Sequence, residues 1–157
     1  HRAPLVPPVV PLHDWFYALL SNDADNDALR RSATIARQLL TGPSVDEVVL
    51  HGDIHHGNIL HFGDRGWRAI DPKGLRGERA FDYANLFCNP AHDIAVDPVR
   101  FERRVVLVAD AAGLDRRRLL QWILAWSGLS AVWLMEDELP ADTRLEVAML
   151  AAGALGL

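Results

Sequence analysis

Two short segments contain the residues whose types and spacing could do chemistry. The first is HGDIHHGNIL, residues 51–60, and the second is AIDPKG, residues 69–74. Asp53 and Asn58 lie in the first segment, and Asp71 lies in the second. Phosphoryl transfer needs one carboxylate to orient the attacking hydroxyl and accept its proton. It also needs a second carboxylate and an amide oxygen to hold Mg²⁺ against the nucleotide phosphates. The three residues could form such a set.

Short strands and a hairpin must position these residues. Apolar runs bounded by turn residues predict the strands, and Gly63-Asp64-Arg65-Gly66 predicts a hairpin turn between two of them. A loop with two glycines and then a helix follow the hairpin. Asp53 and Asn58 then lie in a loop between strands, and Asp71 lies where the hairpin ends. The predicted strands are residues 45–50, 58–61 and 67–70, the loop is 71–79, and the helix is 80–88.

Helices account for most of the remaining chain. Asn26 or Asp25, Asp115 and Asp142 are candidate N-caps, and Gly42 and Gly113 are candidate stops. The proline-rich residues 1–11 are expected to be extended. The pattern predicts an α+β fold that is mostly helical, as a single domain over residues 1–157. The predicted helices are residues 13–20, one ending at Gly42, 98–112, the apolar 119–135, and 142–155.

Composition limits the class of protein. The net charge of −5 disfavours nucleic acid as a partner, because a phosphate-binding surface normally needs a basic excess. The single cysteine, Cys88, allows no disulfide within the chain. Residues 119–135 are nearly all apolar, but they are short for a membrane span and are interrupted by polar residues, so a buried helix is expected. The first residues do not resemble a signal peptide. A cytoplasmic protein without membrane contact is the expectation.

Histidines near Asp53 leave a second chemistry open. Such clusters bind zinc when their rings converge, and a His/Asp metal hydrolase is therefore an alternative. His55 and His56 are adjacent in the chain and should point in different directions. Asp and Asn are also common turn residues, which is the alternative for each candidate taken alone. The cluster consists of His51, His55, His56 and His61.

The two segments together resemble a known family. HGDxHxxNIL followed by a hairpin and an IDP motif resembles the signature of aminoglycoside phosphotransferases and related small-molecule kinases. The longer string LHGDIHHGNILHFGDRGWRAIDPKGLRGERAFDYANLFCNP, residues 50–90, is similar to the aminoglycoside/hydroxyurea antibiotic resistance kinases, the group that contains streptomycin 6-phosphotransferases. The resemblance implies a protein-kinase-like fold with ATP between two lobes, of which this chain would be the C-terminal catalytic lobe.

The resemblance also implies a role for each matching residue. Asp53 matches the catalytic aspartate, and Asn58 and Asp71 match the two magnesium ligands. His51 matches a histidine that braces the loop. Asp82 matches a buried aspartate that hydrogen-bonds the loop backbone, although it could instead be a first-turn charge that favours the helix dipole. The implied cofactor and co-substrate are Mg²⁺ and ATP.

Two further sites carry open alternatives. Lys73 could be a solvated loop residue, or it could contact a phosphate or pair with Asp71. An acidic cluster after the long apolar helix could be a solvated helix end. The resemblance implies that C-terminal helices line the antibiotic site, so these acids could instead contact a cationic, sugar-like substrate. The cluster contains Glu136, Asp137 and Glu138.

The expected function is transfer of the ATP γ-phosphoryl group to a hydroxyl of an aminoglycoside or aminocyclitol antibiotic such as streptomycin, which confers resistance. The family's N-terminal ATP-covering lobe, with its phosphate-holding lysine, has no match here, because the chain has neither a glycine-rich loop nor a lysine other than Lys73. The isolated chain is therefore expected to be inactive and could associate with itself through its exposed lobe interface. A non-catalytic kinase-like lobe that binds a ligand or partner is the remaining alternative.

Overall fold

The computed structural model describes residues 9–23 and 25–157 of the chain. Helices predominate and the strands are short, as the α+β prediction requires. Most of the predicted extended start lies outside the described residues, and Val10–Pro11 forms a strand. The elements are β1 (Val10–Pro11), α1 (Leu12–Trp15), α2 (Tyr17–Ser21), α3 (Asp27–Thr41), β2 (Glu47–Leu50), β3 (Ile59–His61), β4 (Trp67–Ala69), β5 (Leu75–Glu78), α4 (His92–Ala95), α5 (Pro98–Ala112), α6 (Arg116–Glu136) and α7 (Asp142–Leu155), with a 3-10 helix at Arg79–Cys88.

The long apolar helix α6 lies at the centre of the helical body. Asp115 caps it by accepting a hydrogen bond from the backbone N–H of Arg118 at 2.7 Å. Nearly every residue from Leu119 to Val132 is buried, and α3, α7 and the 3-10 helix pack around α6. The prediction of a buried helix is confirmed, since a helix enclosed by protein needs no polar face. No helix within the described ranges is long and apolar enough to cross a membrane.

Small residues allow α3 and α6 to approach each other closely. Asn26 caps α3 by accepting a hydrogen bond from the Leu29 N–H at 3.1 Å, as one of the two predicted caps. A Cβ added at Gly128 of α6 would lie 2.2 Å from the Cβ of Ser32 on α3. Ser32 is fully buried. The contact between these helices therefore requires the absence of a side chain at residue 128.

The sheet contains a strand that the sequence did not predict. β5 is the middle strand of a three-stranded sheet in the order β1-β5-β2, parallel to β1 and antiparallel to β2. The predicted loop over residues 71–79 was therefore wrong in its second half. The segment Leu-Arg-Gly-Glu has no β-branched or aromatic residue, so its strand propensity is weak. Pairing on both edges decides its conformation, and Leu75 becomes fully buried.

The helix predicted at residues 80–88 is a 3-10 helix, Arg79–Cys88. A 3-10 helix has three residues per turn, so side chains three positions apart stack on one side. Asp82 and Asn85 have this spacing, and both contact the loop that carries Asp53. We attribute the 3-10 geometry to these contacts, because an α-helix would rotate the two side chains apart by a larger angle.

Two other helix predictions differ in detail. The helix predicted over residues 13–20 is divided at Phe16, whose ring is fully buried against Phe81 and Trp122. Ala141, not Asp142, occupies the N-cap position of α7. Asp142 is instead the first helical residue, where a negative charge favours the helix dipole.

Candidate active site

A sharp turn at the end of β2 determines where Asp53 lies. Leu50 is buried, and Gly52 has a φ of 83°. Glycine adopts this conformation without steric cost. A Cβ added at Gly52 would also lie 2.8 Å from the side chain of Leu75. The turn therefore depends on glycine at residue 52, and Asp53 begins the loop that follows it.

Asp82 and His51 hold the backbone of this loop. One carboxylate oxygen of Asp82 accepts a hydrogen bond from the His51 N–H at 2.9 Å, and the other accepts one from the Gly52 N–H at 2.6 Å. The His51 ring has Nε2 at 2.8 Å from the Ile70 carbonyl oxygen, and its Nδ1 is 3.3 Å from the Asp53 backbone nitrogen. These partners require the neutral Nε2–H tautomer, with Nδ1 as the acceptor. His51 thereby joins the loop to the end of β4.

The environment of the Asp82 carboxyl contains two opposing effects. Burial raises its pKa, while the hydrogen bonds from Gly52 and His51 favour the carboxylate and limit the rise. The contacts are specific, because each oxygen accepts from a different backbone N–H. Asp82 therefore does more in this structure than place a charge in the first helical turn.

The Asp53 carboxylate is held on both of its oxygens. Asn85 Nδ2 donates to Oδ1 at 2.9 Å, and Asn58 Nδ2 donates to Oδ2 at 3.2 Å. Asn58 Nδ2 also donates to the Asp53 backbone carbonyl at 2.9 Å. The Lys73 ammonium lies 3.5 Å from Oδ2, and His55 Nε2 lies 3.8 Å from Oδ1. The side chain stays 22 % exposed, so a ligand can still reach it.

Lys73 connects Asp71 to this group. Asp71 follows Ile70 with a φ of 60°, and its carboxylate accepts a hydrogen bond from the Lys73 ammonium at 2.7 Å. This bond is the main reason that the pKa of Asp71 is lowered and the pKa of Lys73 is raised. Because the same ammonium contacts Asp53, and Asp53 contacts Asn58, a continuous set of contacts links Asn58, Asp53 and Asp71.

The donor set of this group fits a magnesium ion. Mg²⁺ prefers carboxylate, amide and water oxygens and is usually held by one or two protein groups together with phosphates. Asn58 uses its amide nitrogen to contact Asp53, which leaves its oxygen available as a ligand. The Asp71 side chain is 67 % exposed. Asn58 and Asp71 are therefore the residues that would hold the ion.

A cavity of about 420 Å³ opens beside Asp53. Its wall combines aromatic rings with polar side chains, and Trp133 contacts two of the other rings edge-on, with centroids 5.3 Å and 5.6 Å away. The cavity is large enough for a sugar-sized group. Its lining residues are Trp15, Gly52, Asp53, His55, Lys73, Asn85, Asn89, Trp126, Ser130, Trp133 and Arg144.

Comparison with known proteins identifies the family of the chain. The profile of the aminoglycoside/hydroxyurea antibiotic resistance kinases matches residues 1–138. The chain belongs to this family. It is 49 % identical over 136 residues to a streptomycin 3''-kinase of Klebsiella pneumoniae, and 34 % identical over 123 residues to a streptomycin 6-kinase of Streptomyces glaucescens. It is 31 % identical over 130 residues to a hydroxyurea phosphotransferase of Kitasatospora aureofaciens.

The matches cover most of this chain but only part of each relative. The match to the Klebsiella pneumoniae protein covers 83 % of this chain and 51 % of that protein. The match to the Streptomyces glaucescens protein covers 76 % of this chain and 39 % of that protein. The match to the Kitasatospora aureofaciens protein covers 83 % of this chain and 36 % of that protein. The chain thus spans about half of the Klebsiella pneumoniae protein and less than half of the other two. No solved structure matches the chain significantly.

The four histidines make separate contacts in the structure. His55 Nδ1 accepts a hydrogen bond from the Gly57 N–H, and His61 on β3 packs against Trp67 of β4. Burial, followed by the charge of Arg104, lowers the pKa of His56. Within the described part of the chain, no group of three or more His, Cys, Asp or Glu side chains could hold a metal ion.

The acidic cluster lies at the C-terminal end of α6. Glu136 is the last residue of the helix, Asp137 follows it, and Glu138 has a φ of 57°. All three are exposed, and none of them is among the described residues that line the cavity beside Asp53. A contact between these acids and a substrate therefore stays a prediction.

Sequence reasoning missed several residues around Asp53. Asn85 and Asn89 lie within the FDYANLFCNP string but were not assigned a role, and their spacing of i and i+4 was the available signal. Trp15 and Arg144 reach the cavity from opposite ends of the chain. No local pattern marks these two, because only the fold places them beside the loop.

Proposed function

We propose that the protein containing this chain transfers the γ-phosphoryl group of ATP to a hydroxyl of an aminoglycoside or aminocyclitol antibiotic such as streptomycin, and so confers resistance. The observation that carries this proposal is the position of Asp53. Its carboxylate contacts Asn58 and Lys73, the lysine pairs with Asp71, and Asp53 also lines the cavity beside the loop. A general base needs this placement, with the phosphates on one side and the acceptor hydroxyl on the other.

Each residue has a defined part in this proposal. Asp53 accepts the proton of the acceptor hydroxyl, and Asn58 and Asp71 hold Mg²⁺, which neutralises phosphate charge when it is bound. His51 and Asp82 hold the loop. Lys73 either contacts a phosphate directly or offsets part of the charge of the two carboxylates when no nucleotide is bound. These roles amount to catalysis by positioning and by charge stabilisation.

The cavity beside Asp53 is the proposed acceptor site. Aromatic faces suit the apolar faces of a sugar ring, and amide and hydroxyl groups suit its hydroxyls. Asn89 and Ser130 supply such polar groups, while Trp15 and Trp133 supply the rings. The relatives are named streptomycin 3''-kinase and streptomycin 6-kinase, which supports streptomycin as the first acceptor to test.

Exposed apolar side chains of the β3–β4 hairpin support the proposal that a further lobe, or a second copy of the chain, covers the hairpin. Leu60, Phe62 and Trp67 are exposed, and Trp67 is 67 % exposed. Trp67 lies opposite His61 and Leu60 opposite Arg68, so Leu60 and Trp67 are on different sides of the hairpin. Exposed apolar area on a protruding element is a feature of surfaces that bind other protein. The kinase-like lobe assignment predicts that the nucleotide-covering lobe contacts the chain near this hairpin.

Substitution of Asp53 tests the proposed function. In the longest natural polypeptide that contains this chain, Asp53→Ala should lower kcat by roughly 10²–10⁴ with streptomycin, the usual contribution of a positioned general base. Binding of ATP should change little, because other groups hold the phosphates. Asp110→Ala on the exposed side of α5 is the matched control and should retain wild-type turnover. Wild-type kcat in Asp53→Ala would remove Asp53 from the mechanism and reject the proposal.

A further inference from the structure

Asn85 contacts the proposed catalytic base from within the protein. Its Nδ2 donates to Asp53 Oδ1 at 2.9 Å, and its side chain lies between the base and the helical body. Asn85 is only 8 % exposed, which makes it one of the few buried polar residues described. A buried amide is retained when its donors and acceptor are satisfied. The partners of Asn85 therefore show what the residue is built to do.

The amide of Asn85 can face Asp53 in only one orientation. Asn89 Nδ2 donates to Asn85 Oδ1 at 3.1 Å and to the Asn85 backbone carbonyl at 2.9 Å. The oxygen of Asn85 is thus occupied on the side away from Asp53, and its NH₂ group is directed at the carboxylate. A carboxylate only accepts hydrogen bonds, so this is the orientation that Asp53 requires. Only a side chain that is both donor and acceptor satisfies the two neighbours.

Two arginines fix the backbone that carries this pair of amides. Arg104 donates to the carbonyl oxygens of Leu86 and Asn89, the latter at 3.2 Å. Arg144 donates to the carbonyl oxygen of Cys88. These carbonyls lie at the C-terminal end of the 3-10 helix, where helical partners run out. The Leu86 carbonyl also accepts a hydrogen bond from the Asn89 N–H at 3.3 Å. The arginines therefore hold the end of the helix in place, and with it the side chains of Asn85 and Asn89.

We propose that Asn85 is a positioning residue for Asp53. It holds Oδ1 while Asn58 holds Oδ2, so the carboxylate has one orientation, with its remaining lone pairs available to an acceptor hydroxyl in the cavity. Asn89 sets the orientation of the Asn85 amide. This inference rests on the proposed function of Asp53 as the base and adds a residue that acts through it. Its consequence is that loss of Asn85 lowers kcat and leaves nucleotide binding unchanged.

A double-mutant cycle on turnover tests the inference. The assays use the longest natural polypeptide that contains this chain, with Mg²⁺–ATP and streptomycin. Asn85→Ala should lower kcat by roughly 10- to 100-fold, the range for one lost hydrogen bond to a charged group, and should change the KM for ATP by less than about 3-fold. In the Asp53→Asn background, Asn85→Ala should lower the residual kcat by less than about 3-fold, because the base is already absent.

A general structural role predicts a different result, in which Asn85→Ala lowers kcat by the same factor in both backgrounds or raises the KM for ATP in parallel. Either result overturns the inference. Failure of the proposed function is distinguishable, because Asp53→Asn would then itself turn over at the wild-type rate. A low rate in Asp53→Asn combined with a wild-type rate in Asn85→Ala rejects only the inference.

Two further variants keep the test decisive. If Asn85→Ala does not fold, Asn89→Ala takes its place in the same cycle, with an expected loss of roughly 3- to 10-fold in kcat that is absent in the Asp53→Asn background. An equal loss in both backgrounds overturns the inference.

Asn26→Ala is the matched control, because it removes the cap of α3 without touching the loop. It should lower stability and leave kcat and KM unchanged.

Discussion

At the scale of single residues, Lys73 has the most unusual surroundings. Its ammonium lies 2.7 Å from the Asp71 carboxylate and 3.5 Å from that of Asp53. One lysine therefore pairs with both carboxylates and offsets part of their charge. The open alternative of a solvated loop residue does not describe these contacts. Pairing with Asp71 does, and a phosphate contact stays a prediction.

The effect of Lys73 on Asp71 can be measured in the isolated chain. Because the ammonium favours the carboxylate, Asp71 holds its charge to a lower pH than an ordinary aspartate. Lys73→Ala should therefore move the midpoint of Asp71 titration upward, toward the ordinary value. The carboxyl ¹³C shift of Asp71, followed against pH without metal or nucleotide, measures this midpoint. Arg76→Ala removes an ion pair with Glu47 that does not involve Lys73, so it should leave the midpoint of Asp71 unchanged. A downward movement, or none, would contradict the contact.

At the scale of elements, the contact of α3 with α6 determines how the helical body packs. Gly128 and Ser32 face each other at a distance that leaves no room for another carbon. The helix interior normally disfavours glycine, by about 0.5–1 kcal/mol relative to alanine. We attribute the glycine at residue 128 to packing. The burial that the close approach of the two helices allows offsets the low helix propensity of glycine.

Two glycine substitutions separate the effect of packing on stability from the effect of helix propensity. Gly128→Ala should lower the free energy of unfolding by about 1–3 kcal/mol, because the new methyl group overpacks the contact with Ser32. Gly153→Ala on α7 meets nothing within 4 Å and should raise the free energy of unfolding by about 0.5–1 kcal/mol. Urea denaturation followed by circular dichroism measures both. Equal signs for the two substitutions would show that packing at Gly128 does not control stability.

At the scale of the whole molecule, a buried ion pair joins the sheet to the helical body. Glu78 at the end of β5 accepts hydrogen bonds from Arg118 of α6, with Nη2 at 2.7 Å and Nε at 2.8 Å. The Glu78 side chain is only 5 % exposed. The paired carboxylate raises the pKa of the Arg118 guanidinium. Removal of one partner would leave the other charge buried without compensation.

Arg118→Met should lower the free energy of unfolding by about 3–5 kcal/mol, because Glu78 then lacks its partner. Adding Glu78→Leu should recover most of this loss, since the unpaired charge is gone. Arg116→Ala, which removes an exposed pair with Glu102, is the matched control and should cost less than about 1 kcal/mol. Thermal or urea unfolding of the three variants and the wild type tests this order of stabilities. If Arg118→Met lowers the free energy of unfolding no more than Arg116→Ala does, the pair of Arg118 with Glu78 does not hold the sheet on the helical body.

The 157-residue chain should fold on its own and still fail to transfer phosphate. The buried apolar side chains form one cluster that extends from α1 to α7, which supports folding. Chemistry should fail because Lys73 is engaged by Asp71 and Asp53, and no other lysine is present to hold the nucleotide phosphates. Cooperative unfolding together with undetectable phosphorylation of streptomycin is the expected result. Steady turnover by this chain would show that it needs no further lobe.

The candidate site could be predicted from the sequence because its residues lie close together in the chain. Asp53 and Asn58 lie in one loop, and Asp71 follows the hairpin that the same segment forms. Their types and spacing, together with the resemblance of residues 50–90 to a known family, were the signal that selected them as candidates. Helices were predicted well for a related reason. Caps such as Asp115, stops such as Gly113 and apolar periodicity are properties of neighbouring residues.

Only the tertiary structure decided what surrounds Asp53. β5 has weak strand propensity and forms because β1 and β2 supply partners on both edges. Asn85 reaches Asp53 because the 3-10 helix presents it on the same side as Asp82, and Trp15 and Arg144 reach the cavity from elements distant in the chain. Such contacts depend on how elements pack, and packing is set by the sum of many buried surfaces that no single stretch of sequence contains.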